Sequence, residues 1–259
     1  MDRLNAWGDW LKNAPSDFIV YFFLYAITIL TSLTLHEVAH GYVAYRCGDP
    51  TAKILGRVTL NPLKHLDAFG SLSILLLGFG WAKPVPVNPK YFRKPIQNDI
   101  AVSLAGITVN LIIFLFSLSV CVLLNSIVFS DISNRSIFLE NGGFLYLFQA
   151  SGYQGTPLLR YTKHTFLFYV QFFFSLMATI NVSLGIFNLL PLPPLDGFHV
   201  VNDIVLRGRL SMGGKTFRIM QALLMVTIFT GVLNKPLGYL INTIYNGVLT
   251  ALSAVIRSL

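Results

Sequence analysis

The chain has 259 residues, 54% hydrophobic and only 12% charged, with a formal net charge of +8. A soluble domain carries about 25% charged residues, so the composition excludes an ordinary soluble domain and implies a lipid-embedded one. The basic excess does not imply nucleic acid. Twelve of the nineteen Lys and Arg residues sit in two short connections: Arg46, Lys53, Arg57, Lys64, Lys83, Lys90, Arg93 and Lys94 in one, and Arg207, Arg209, Lys215 and Arg218 in the other. That bunching is what the positive-inside rule expects of cytoplasmic loops.

Residues 1–17 combine Trp7 and Trp10 with Asp2, Asp9 and Asp17, a poor signal-peptide start and a reasonable interfacial lead-in. Charge-free runs then follow at 18–35, 100–130, 165–195 and 237–256, each reaching the roughly 18 residues that license a spanning helix. A shorter run, 219–234, pairs with the last as an out-and-back hairpin around Lys235-Pro236. The basic clusters orient the first helix inward, the second outward and the third inward. Between the first two, 54–60 reads as a strand, 69–81 is apolar but half the length of a span, and prolines extend 83–88. A small re-entrant β-hairpin or sheet on the cytoplasmic side is expected there. Residues 131–164 are expected as an extracytoplasmic loop with an apolar stretch at 144–148. The fold class predicted is an all-α polytopic membrane protein, a single domain over 1–259. It has about five transmembrane helices plus that β element. Cys47 and Cys121 form no disulfide framework.

Inside the first helix stands His36-Glu37-Val38-Ala39-His40. Residues four apart share a helix face, so both imidazoles reach one ion, and Glu37 sits beside them as a candidate general base. Zinc suits nitrogen and carboxylate ligands. A carboxylate at bilayer depth costs about 2.5–3.5 kcal/mol or more and calls for a function. The third ligand expected is Asp196. Glu37 lies about 13 Å before the inner end at Arg46, and Asp196 follows the inward-running third helix, so orientation puts both on one side. Pro191, Pro193 and Pro194 break the helix just before it. His65 and Asp67, near the inner surface, and His199, three residues past Asp196, are weaker candidates for supporting the site.

The motifs together resemble the site-2 protease family of intramembrane zinc metalloproteases, in its compact bacterial and archaeal branch without PDZ or CBS domains. The resemblance rests on His36-Glu-Val-Ala-His-Gly41, Asn61-Pro-Leu-Lys-His-Leu-Asp67, Gly80-Trp-Ala-Lys-Pro-Val-Pro-Val-Asn88, Ala105-Gly106 with Asn110, and Asn188-Leu-Leu-Pro-Leu-Pro-Pro-Leu-Asp-Gly197, in the family's order. Ile107 and Ala68 stand where the family commonly has proline. The resemblance implies one Zn2+ per chain on His36, His40 and Asp196, Glu37 as catalytic base, and Asn188 and Asn110 as polar groups toward substrate or oxyanion. It implies hydrolysis of peptide bonds in or near transmembrane segments, with a membrane-protein substrate and the bilayer as partners. The expected location is a prokaryotic cytoplasmic membrane, spanned several times, with the active site toward the cytoplasm. Edge pairing of an unwound substrate with 54–60 or 83–88 is a further expectation. Two other readings use the same residues: a transporter or channel with a metal or proton path through His, Glu and Asp, and an inactive protease-like scaffold.

Overall fold

The computed structural model describes residues 2–13, 15–77, 80–129, 162, 164–208, 210 and 213–257. Among these, nine α-helices follow in order: α1 (Asp2–Asn13), α2 (Pro15–Arg46), α3 (Thr51–Ile54), α4 (Ala68–Leu77), α5 (Pro95–Val128), α6 (Thr165–Asn188), α7 (Asp196–Val205), α8 (Gly214–Phe229) and α9 (Asn234–Arg257). Pro62–Lys64 and Pro89–Tyr91 add two 3-10 turns.

Among the described residues, three helices are long and apolar enough to cross a membrane: α2 from Phe18, α5 and α6. Even the shortest, 24 residues, spans about 36 Å against about 30 Å of hydrocarbon. α5 packs along α6 through Phe114, Leu118 and Val122 against Ala178, Val182 and Ile186, with Tyr245 and Leu249 of α9 closing the cluster. α2 joins through Tyr25, Ile29 and Leu33 around Leu176. Some of the polar side chains between these helices are paired. Asn181 donates to Ser32 Oγ and to the Met177 carbonyl, both at 2.8 Å, and Gln171 donates to the Cys121 carbonyl at 3.1 Å. Such bonds hold transmembrane helices together at about 0.6–2 kcal/mol each. At the N-terminus, α1 is seated on α2 by Trp7, whose ring meets Phe18, Tyr21, Phe22 and Tyr25 edge-on.

The expected β element is corrected. No sheet occurs among the described residues, where one antiparallel bridge joins Phe129 to Thr162. In 54–60, local turns take the backbone groups a strand would need: Leu55, Gly56 and Arg57 donate to the carbonyls of Thr51, Lys53 and Ala52. The apolar stretch expected at 69–81 is largely taken up by α4, ten residues or about 15 Å of helix. The Asp67 carboxylate accepts the Gly70 N–H near its start, at 2.8 Å. Residues 83–88 are extended, as their prolines imply, but are held by side chains and a loop rather than by a strand.

α8 and α9 form at the places expected of a terminal hairpin, yet neither meets the length and apolarity of a span. At 16 residues α8 reaches only about 24 Å. α9 is long enough but carries Asn234, Lys235, Asn242, Thr243 and Asn246. The expected outer loop, 131–164, lies outside the described residues apart from 162 and 164.

Candidate metal centre

Two turns of α2 and the first residue of α7 bring three ligand-type side chains together. His36 and His40, four residues apart, stand edge-to-face with ring centroids 4.6 Å apart and Nε2 atoms 3.0 Å apart. The proline-rich turn after α6 presents Asp196 at the start of α7. Its Oδ2 lies 3.4 Å from each Nε2. Both imidazoles are buried, and Oδ2 is buried without a hydrogen-bond donor.

One face of α5 lines the pair at four-residue intervals. The Val102 carbonyl accepts from His40 Nδ1 at 2.7 Å. Gly106 lies between the rings: a Cβ there would come 2.4 Å from His40 Nε2 and 2.5 Å from His36 Cε1. The buried Asn110 amide lies 3.2 Å from His36 Nδ1. The order, His40 with Val102 and His36 with Asn110, makes α2 and α5 antiparallel at the site.

These contacts fit a zinc ion. A carbonyl only accepts, so His40 carries its proton on Nδ1, and the neutral ring then turns a lone pair on Nε2 toward Asp196. Donors at about 2.0–2.1 Å in tetrahedral array stand roughly 3.3 Å apart; the three separations here are 3.0, 3.4 and 3.4 Å. The orphaned Oδ2 completes the set of two nitrogens and one carboxylate that catalytic zinc takes, with a position left over.

The family model for peptidase family M50 matches residues 24–232, which include all three donors and Glu37. The chain belongs to peptidase family M50. The M50 chain is 40% identical over 179 residues to the Bacillus subtilis protein named "Putative zinc metalloprotease YwhC", covering 69% of this chain and 68% of that one. It is 34% identical over 104 residues to a Mycolicibacterium smegmatis protein of the same description, Rip2, covering 38% and 40%. No solved structure matches. The family is that of the site-2 proteases, and the zinc metalloprotease description in the relatives' names agrees with the donor set.

The remaining predicted residues of this M50 site fall in different places. Glu37, half-buried beside His36, accepts the Val85 N–H on Oε2 at 2.7 Å. Asn110, expected toward substrate, has its amide beside His36. Asn188 turns its amide onto the Leu184 carbonyl of its own helix at 3.1 Å. His65 is fully buried, with Nε2 2.8 Å from the Thr59 carbonyl and its own carbonyl accepting the Lys83 N–H. It therefore supports the 83–88 segment rather than an ion. His199 lies 3.6 Å from Asp99 of α5, and that carboxylate holds its imidazole above the usual histidine range. Sequence reasoning did not single out Val102, Arg57 or Val85. The four-residue spacing of Val102, Gly106 and Asn110 against that of His36 and His40 was the signal available for the first.

Proposed function

We propose that this M50 chain is an intramembrane zinc metalloprotease that hydrolyses peptide bonds in or near transmembrane segments of membrane proteins. His36, His40 and Asp196 would hold one zinc, and Glu37 is the general base. The observation that carries this reading is the convergence of three donor atoms beside a carboxylate within a helix apolar enough to span a bilayer. Zinc in that position supplies Lewis acidity toward a peptide carbonyl and toward a bound water. Glu37 removes the proton from the attacking water and delivers it to the leaving amine. Val102, Gly106 and Asn110 keep the two imidazoles turned toward Asp196.

The basic residues between α2 and α5 and between α7 and α8 support a cytoplasmic placement of the site, with α2 and α6 running inward and α5 outward. The α8–α9 pair is read as the terminal hairpin that completes about five membrane elements. The substrate class follows from the site's depth: a peptide reaching it comes from within or beside a transmembrane helix, unwound enough to expose its carbonyls.

The test uses detergent-purified wild type, Asp196→Ala and Glu37→Gln. Wild type should retain about one zinc per chain and Asp196→Ala markedly less. Glu37→Gln should keep its zinc and cleave a reconstituted single-span substrate about 100- to 10,000-fold more slowly. Undiminished cleavage by Glu37→Gln would remove the base assignment. Solute or ion flux in wild-type vesicles without hydrolysis would replace the protease with a transporter.

A further inference from the structure

Between α4 and α5 the chain crosses α2 as an extended strap, Lys83-Pro-Val-Pro-Val-Asn88. Proline has no N–H, so Val85 offers the only backbone donor from Pro84 to Pro86, and it donates to Glu37 Oε2 at 2.7 Å. The strap is fixed on both sides of this bond. Lys83 N–H donates to the His65 carbonyl at 2.8 Å, and Asn88 N–H donates to the buried Asp49 carboxylate at 2.6 Å. Val85 itself is buried against Gly41, one turn along α2 from Glu37. A Cβ at Gly41 would come 3.1 Å from Val85 Cγ1 and 3.2 Å from Val58 Cγ2. Glu37 and Gly41 thus form the seat of the strap, beside the face that carries the two imidazoles.

Arg57 also grips this strap. Its Nη2 donates to the carbonyls of Lys83 at 2.8 Å and Pro84 at 3.2 Å. The Pro84 carbonyl and the Val85 N–H are opposite ends of one planar trans peptide. Fixing the oxygen end therefore fixes the direction of the N–H end, and a cationic donor on the oxygen polarises the peptide and strengthens that N–H as a donor.

We infer that Arg57 is a positioning residue for the reaction, acting through the Pro84–Val85 peptide to hold the carboxylate of Glu37. One oxygen of the base is bound by Val85, its plane is set, and the other oxygen is left to face the attacking water. The catalytic consequence rests on the function proposed above; the contact itself does not. The arrangement accounts for His65 and Asp49 as well, since each fixes one end of the strap.

The experiment compares wild type with Arg57→Ala, Arg57→Lys and Glu37→Ala by amide hydrogen exchange across 83–88, zinc content and cleavage kinetics. Arg57→Ala should exchange faster at Val85 and keep wild-type zinc. Its kcat should fall about 10- to 100-fold with KM changed by less than about threefold, because a base displaced by a fraction of an ångström loses rate rather than substrate binding. Arg57→Lys, which keeps a cationic donor for the carbonyls, should recover part of kcat. Glu37→Ala should speed exchange at Val85 while Lys83 and Asn88 stay protected. If Arg57→Ala does not accumulate as folded protein, Arg57→Lys against Arg57→Gln gives the same comparison. Wild-type kcat in Arg57→Ala, unchanged exchange at Val85, or a loss of rate that follows loss of zinc would overturn the inference. A wild type that hydrolyses no membrane substrate would end the protease reading, and the exchange measurements would still decide whether Arg57 holds Glu37 through Val85.

Discussion

Gly106 of α5 lies under His40 so closely that a Cβ at that position would stand 2.4 Å from Nε2, inside the atom's van der Waals shell. The helix backbone itself is one wall of the metal centre, and the two rings lean on it from either side. In an exposed helix, Gly→Ala gains about 1 kcal/mol from propensity alone. Here the new methyl must displace an imidazole, in a core that yields little. Propensity and site therefore pull in opposite directions, and the site should win where function is read.

The first prediction follows directly. Gly106→Ala should fold and melt within a few degrees of wild type, yet lose most of its zinc and at least about 100-fold in cleavage rate, as displaced reacting groups do. Zinc content in detergent and rate on a reconstituted substrate check it. Wild-type zinc and rate in this variant would show that the rings have room, against the geometry described.

Asn110 leads to the second prediction. Its Oδ1 is buried and without a partner while its amide nitrogen faces His36 Nδ1 at 3.2 Å. A half-turn of the amide exchanges the two and lets Oδ1 accept a hydrogen bond from Nδ1–H, which leaves the Nε2 lone pair free, as Val102 does for His40. Outer partners of metal-bound histidines are worth about 10- to 100-fold in metal affinity. Asn110→Ala should weaken zinc by that factor in competition with a calibrated chelator, and Asn110→Asp, an acceptor, should keep most of it. Equal affinity in wild type and Asn110→Ala would return Asn110 to a substrate-facing role.

Much of the site was legible in the sequence because its signals are local or follow from charge. His36 and His40 declare one helix face by spacing. Orientation from lysines and arginines put Asp196 at the same depth, and the structure brings its carboxylate to 3.4 Å from both rings. The β element was misjudged for a reason that is equally physical. Alternating apolar residues at 54–60 and prolines at 83–88 give strand-like propensity, but propensity does not say which groups satisfy the backbone. Arg57, Glu37, Asp49 and the His65 loop take the donors and acceptors of the strap, and residues 55–57 bond back into α3. Contacts between residues some 25 to 50 positions apart leave no periodic trace, so the tie between Val85 and Glu37 was out of reach. Asn188 was placed by resemblance alone, and its amide bonds within its own helix.

The third prediction concerns pH, at the far end of α7 from the metal. Asp203 is buried, its Oδ2 meets no donor, and its neighbour Asp99 on α5 is likewise a carboxylate. Burial first, then the charge and hydrogen bonding of Asp99, push the Asp203 carboxyl up to about 6 from 3.8, with His199 opposing. A shared proton is what lets the two acceptors bond. Between those two values the folded state binds more protons than the unfolded one, so unfolding free energy falls as pH rises. The contribution is fully present below about 4 and is lost as pH passes through about 6. His199, also raised by Asp99, acts in the same direction: its contribution is present below 6.5 and lost as pH climbs through its higher folded value. The seating of α7 on α5 should therefore be firmer in mild acid. Asp203→Asn supplies a permanent donor in place of the proton, so it should melt higher than wild type at pH 8, with the difference shrinking toward pH 4.5. Thermal unfolding of both proteins in one detergent at the two pH values measures this. A difference that is the same at both would mean that Asp203 carries no extra proton in the folded protein.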